Sequence, residues 1–266
     1  MRQLRLRYRQ GQGGVGVEGR GTAGLDPRLF VLERRLSGVK RVVAVASGKG
    51  GVGKTLVAST AALALAWAGR SVGLLDLDMH GPSCHVVLGI EEPRVVEDRG
   101  VVPIDACGVK LMSLFLFAGD ADLPLRGRDL TDVALELLAV TRWGDLDLLL
   151  IDMPPGTGDE ILDVMNFIRR AEFLVVTTPS ALSLMTVRRL LSMLSRRRAP
   201  VLGLVENMVS EEPKAEALAR EAGVRYLGWL PADPLVERCL GNPDQLLQTD
   251  FARALTRVLR SLGWVS

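Results

Sequence analysis

Short apolar runs alternate with longer amphipathic stretches along most of this chain. Residues 41–47, 71–75, 109–117, 146–151, 173–177, 201–205 and 225–230 read as strands. Between them, 54–68, 130–141, 160–170, 182–197 and 211–222 carry helical spacing, with a short helix at 81–88 and a terminal one at 251–262. Gly69 closes the first of these. Asp26 as N-cap and Pro27 at the first position open a further helix through Leu36. Strands alternating with helices of this size predict an α/β domain with a mostly parallel sheet and helices on both faces, a three-layer αβα architecture. The unbroken apolar run 146–151 fits a strand covered on both sides. In such sheets ligands sit beyond the carboxyl ends of the strands, which directs attention to Ser47, 75–78, Asp152, 177–179 and Asn207.

Residues 1–25 break this pattern. They are Arg-rich and then Gly-rich, a composition that buries too little surface to fold alone, and they predict a flexible tail ahead of one domain over 26–266. With 266 residues, 48% of them hydrophobic, that domain has ample material for a core. A net charge of +2 gives no global basic field, and 5% aromatics argue against stacking platforms for single-stranded nucleic acid. Cys84, Cys107 and Cys239 are sparse, odd in number and far apart, which is no disulfide framework. No apolar run reaches a membrane span and no signal peptide is visible, so a cytoplasmic location is expected.

The chemistry concentrates in Gly48, Lys49, Gly50, Gly51, Val52, Gly53, Lys54 and Thr55. This Gly-x-x-x-x-Gly-Lys-Thr pattern lies between a predicted strand and a small-residue helix, the context a phosphate loop requires. Four glycines let backbone amides turn toward phosphates at a helix N-terminus. Lys54 is expected to reach the β- and γ-phosphates of ATP, and the Thr55 hydroxyl to ligate Mg2+. Lys49 is a second lysine at the loop mouth, either solvated or aimed across an interface at a second subunit's ATP.

Asp76 and Asp78 are spaced by one, so an extended strand end points them the same way. Asp78 is the candidate to orient attacking water, and Asp76 to hold Mg2+ through a water. Asp152 ends an apolar strand, the Walker-B arrangement for Mg2+, and Gly156 and Gly158 suit a switch loop behind it. Asn207 at a strand end can bond adenine, with Pro231 walling the same pocket. The adjacent Cys84 and His85 are a weak metal hint, outweighed by a buried thiol.

These residues resemble the MinD/ParA class of deviant Walker-A ATPases, and within it the Mrp-type (ApbC-like) iron–sulfur cluster carriers. The segments 73–83, 143–160 and 206–208 carry the closer match, and Leu125, Arg126, Gly127 and Arg128 resemble the family's Trp-Arg-Gly-Pro turn without its Trp and Pro. The resemblance covers roughly residues 38–260. It implies a P-loop NTPase that closes as a homodimer on ATP. Lys49 would reach the partner's phosphates, Asp78 would align water and Asn207 would hold adenine. It also implies a labile [4Fe-4S] cluster handed to apo-protein clients.

The chain departs from that family in one place. The family's Cys-x-x-Cys follows the Asn-Met pair, whereas Met208 here is followed by Val209, Ser210, Glu211, Glu212, Pro213, Lys214 and Ala215. A cluster needs thiolates, usually four, hence two per subunit at a symmetric interface. Three functions stay open on the sequence. The first is an Mrp-like ATPase in iron–sulfur assembly, working with a scaffold or partner that supplies cysteines. The second is a ParA/MinD-like positioning ATPase whose ATP dimer binds DNA through Arg196, Arg197 and Arg198, or membrane through the terminal helix. The third is an ATP-gated adaptor.

Overall fold

The computed structural model describes residues 27–78, 81–92, 95–118, 128–156 and 158–265. The tail 1–25, the Asp26 cap, His80, Thr157 and the turn at Leu125, Arg126 and Gly127 lie outside the described residues. In chain order the strands are β1 Val39–Ser47, β2 Val72–Asp76, β3 Val96–Glu97, β4 Val101–Val102, β5 Ile104–Ala106, β6 Val109–Ser113, β7 Leu146–Asp152, β8 Glu172–Thr177, β9 Val201–Val209 and β10 Tyr226–Pro231. The helices are α1 Pro27–Arg35, α2 Lys54–Trp67, α3 Cys84–Leu88, α4 Phe115–Ala118, α5 Arg128–Val140, α6 Asp159–Phe167, α7 Ala181–Arg196, α8 Glu216–Glu221, α9 Leu235–Cys239, α10 Pro243–Leu246 and α11 Asp250–Ser261.

One sheet runs in the order β10-β9-β8-β1-β7-β2-β6-β5, and every pairing in it is parallel except β5 with β6. Strand alternation divides the core into two layers. On β1, Val42, Ala44 and Ala46 face one, with Leu32 of α1, Leu135 and Leu138 of α5, Ile161 of α6 and Val187 and Leu190 of α7. Val43 and Val45 face the other, with Val57, Ala58 and Ala61 of α2, Val87 of α3 and Leu255 and Leu259 of α11. The expected three-layer αβα architecture is therefore present, with a helical layer on each face of the parallel sheet. The apolar stripe of α11 packs on β10 and α2, so it is core rather than a free amphipathic surface.

Three local readings change. The strand expected over 109–117 stops at Ser113, whose hydroxyl accepts the Phe115 amide as α4 begins. The helix expected from 211 starts at Glu216. Pro213 interrupts that segment, and the Glu206 carboxylate takes the amides of Lys214 and Ala215. The helix expected from 81 starts at Cys84, because Asp76 accepts the amides of Ser83 and Cys84. The short strands β3, β4 and β5 carry too few residues for a period-2 signal.

Candidate functional site

The sheet register brings the acidic residues together. Asp76 closes β2 and Asp152 closes β7, and the two are direct partners across that strand pair. β1 ends beside them at Ser47, from which the chain enters the glycine loop and then α2. The Ser47 hydroxyl donates to the Lys49 carbonyl at 3.0 Å and the Gly156 amide donates to the Ser47 carbonyl at 3.1 Å, so the loop and the segment after β7 are joined at their roots. Gly51 and Gly53 take φ of 74° and 77°, a left-handed conformation that glycine adopts at little cost. Gly53 is the residue before α2 and its carbonyl accepts the Val57 amide, the first turn of that helix.

Lys54 and Thr55 both converge on Asp152. Lys54 Nζ lies 2.5 Å from Oδ1, and Thr55 Oγ1 donates to Oδ2 at 2.6 Å. Lys54 is 6% exposed and Asp152 0%, so this is a dry ion pair whose members cannot be separated without replacement partners. Burial pushes the Asp152 carboxyl up, while Lys54 and Thr55 pull the other way. Asp76 is also fully buried. Its Oδ1 accepts the Asp78 amide at 3.1 Å, and its Oδ2 accepts the Ser83 and Cys84 amides at 3.0 and 3.1 Å. Burial first, and then the neighbouring Asp152 charge, raise Asp76 to about 7. Asp78 is half-buried and accepts the Gly81 amide at 3.3 Å, so it also caps its own turn.

On the other flank, Asn207 is buried and its Nδ2 donates to the Val52 carbonyl at 2.8 Å. One N–H of that side chain is thus committed to the glycine loop, which leaves Oδ1 and the second N–H for a ligand. Pro231 lies at the end of β10 in register with Val209, two residues past Asn207. Lys49 is half-buried at the loop mouth. All eight loop residues, the three aspartates and Asn207 therefore gather at the carboxyl edge of the sheet, where the sequence placed them.

The structure gives two residues, Cys84 and Glu206, contacts that the sequence pattern does not show. Cys84, the first residue of α3, sits inside the acidic pocket with its Sγ 3.7 Å from Asp152 Oδ2. Glu206, fully buried beside Asn207, accepts the Tyr226 hydroxyl at 3.0 Å as well as two amides of the loop after β9. Single-residue pattern does not reveal these contacts, because both depend on chain segments folding back over them. Hard oxygen donors at Thr55, Asp76 and Asp152, next to a lysine at a helix start, could hold a magnesium ion and the phosphates it accompanies.

A family model described as "ParA: NUBPL iron-transfer P-loop NTPase" matches residues 38–262. An iron–sulfur cluster carrier protein of Pseudomonas fragi is 43% identical over 213 residues, 74% of each chain. A nucleotide-binding protein from Archaeoglobus fulgidus, solved in complex with ADP, superposes with a TM-score of 0.69 at 32% identity, over 83% of this chain and 93% of that one. The cell division ATPase MinD of Pyrococcus furiosus superposes with a TM-score of 0.63 at 21% identity, over 84% of this chain and 98% of its own, and shares the fold.

Proposed function

The chain belongs to the NUBPL-type iron-transfer P-loop NTPase family, and from that premise we propose that it binds Mg-ATP, hydrolyses it slowly and serves as the nucleotide-driven switch of an iron–sulfur delivery step. The observation that carries the reading is the convergence of Lys54 and Thr55 on Asp152 at the root of the glycine loop.

ATP entering the loop gives Lys54 new partners, the β- and γ-phosphate oxygens, and so releases it from Asp152. The amides of Gly50 through Lys54 and the positive end of α2 add to that anion site. Mg2+, held by Thr55 and Asp152 and through water by Asp76, would neutralise charge developing on the phosphate oxygens. Asp78 orients the attacking water. Asn207 Oδ1 accepts from the adenine amino group while Nδ2 keeps the loop in place, and Pro231 walls the pocket. In the homodimer formed on ATP, Lys49 of each subunit reaches the other's phosphates and stabilises the transition state as an arginine finger does.

The [4Fe-4S] cluster is the cargo, and this chain's thiols do not fit it as direct ligands. Cys84 is 0% exposed and Cys239 9%, while the exposed Cys107 precedes β6 and so lies at the sheet edge opposite the loop. The cysteines that grip the cluster then come from a scaffold or an apo-protein client. Anaerobic reconstitution with iron and sulfide tests this: the chain alone is expected to bind Mg-ATP and retain no acid-labile sulfide. Stoichiometric sulfide with a cluster absorption band on the isolated chain would overturn the delegated-ligand reading. The stripe of α11 is buried against β10 and α2, so that helix has no free apolar face to offer a membrane.

A further inference from the structure

The acidic pocket contains a sulfur that a magnesium site does not use. The ligand atoms of Asp76, Cys84 and Asp152 all lie within 4.8 Å of one another, and all three residues are buried. Cys84 Sγ is 3.7 Å from Asp152 Oδ2. A tetrahedral ion with metal–sulfur and metal–oxygen bonds of about 2.3 and 2.0 Å holds those two ligands about 3.5 Å apart. The pair is therefore already near the spacing a shared metal would impose. A second observation points to the same place. Ser59 is fully buried, and its hydroxyl, which makes no other hydrogen bond, interacts with the Cys84 thiol.

We propose that Asp76, Cys84 and Asp152 form a binding site for a single thiophilic divalent cation of the ferrous, cobaltous or zinc class. Two carboxylates face one lysine here, so once both are ionised the pocket carries a negative charge that a divalent ion offsets. Magnesium takes oxygen ligands and leaves the sulfur idle, whereas a borderline-soft ion uses both kinds of donor. The Asp76 carboxylate is held in place by the amides of Asp78, Ser83 and Cys84, and the Thr55 hydroxyl or a water completes the shell. As the metal–sulfur bond forms, the Cys84 thiol proton passes to solvent. The site deepens the nucleotide reading by naming a second cation for the same pocket. It depends on where Asp152 sits and not on hydrolysis.

The test is an anaerobic titration of the full chain with cobalt(II) alone, followed by absorption. The wild type should develop a near-ultraviolet sulfur-to-cobalt charge-transfer band that saturates at one equivalent. The band should vanish in Cys84→Ser. It should persist when Cys107→Ser and Cys239→Ser are combined, since Cys84 is then the sole thiol. That double variant keeps the test decisive even if Cys84→Ser folds poorly. No band in the wild type, no band in the double variant, or a band surviving in Cys84→Ser each overturns the proposal. Mg-ADP affinity measured on the same preparations separates the two readings: normal affinity without a band removes the cation site and leaves the nucleotide site standing.

Discussion

Asn207 Nδ2 donates a 2.8 Å hydrogen bond to the carbonyl of Val52, tying the end of β9 to the middle of the glycine loop. The two residues are 155 positions apart, and both are buried. Removing the donor leaves a buried carbonyl unsatisfied, which costs about 1–3 kcal/mol. Asn207→Ala should therefore weaken ADP binding roughly tenfold or more and lower the unfolding midpoint. Calorimetric titration and urea unfolding check the two effects. An unchanged ADP affinity would mean that this bond does not shape the loop.

Gly48 is needed for space, not for backbone freedom. A Cβ there would lie 2.5 Å from the backbone of Thr186 and Val187, so α7 and the loop touch with no room between them. Gly48→Ala should displace the loop from α7 and reduce nucleotide affinity, with a stability loss of about 1–3 kcal/mol from overpacking. Gly51→Ala is the contrast: nothing lies within 4 Å of its Cβ position, but its φ of 74° is strained for alanine. Its stability loss should be about 1 kcal/mol. Equal, negligible effects from both would contradict the packing account.

Asp76 gives a pH signature. Its folded value of about 7 lies above the ordinary carboxylate value of 3.8. Between these two values the folded state binds the extra proton, so this group's contribution to stability falls as pH rises through the window and levels off above it. In chelator-treated, nucleotide-free protein, the stability of wild type minus that of Asp76→Asn should decline from pH 4 to pH 7. Chemical unfolding across that range reads it. A difference that rises with pH would show that the carboxyl is held ionised instead.

Glu206 anchors the segment that follows β9, in the place where the resembled family carries its cysteines. Tyr226→Phe removes one hydrogen bond to that carboxylate and should cost about 1.5–3 kcal/mol. Glu206→Ala strands the Lys214 and Ala215 amides as well and should cost more. Hydrogen exchange at 210–215 should accelerate in Glu206→Ala before the sheet is affected. Uniform protection would mean that the loop is held by something else.

Much of this site was legible in the sequence because its chemistry is local. The glycine loop is contiguous, and Asp152 follows a strand that apolar pattern alone defines. The sheet and its parallel sense followed from alternating elements, since crossovers of helical length require it. What could not be read is where distant segments meet. Cys84 looked like a small buried residue, and only the return of the chain after Asp76 carries its sulfur to Asp152. Asn207 was expected to serve adenine, and the structure shows its side-chain amide holding the glycine loop. The early end of the strand at Ser113 and the late start of α8 share one cause. Side-chain oxygens there capture backbone amides that apolar periodicity cannot register.

The most direct test of the central claim is phosphate release from ATP by the full chain with and without Mg2+, beside Lys54→Ala. The account predicts slow, magnesium-dependent turnover in the wild type, and in the variant a loss of both turnover and ATP binding, because Lys54 is the group that passes from Asp152 to the phosphates. Wild-type protein that binds no Mg-ATP, or a Lys54→Ala variant that hydrolyses ATP as fast as the wild type, would contradict it.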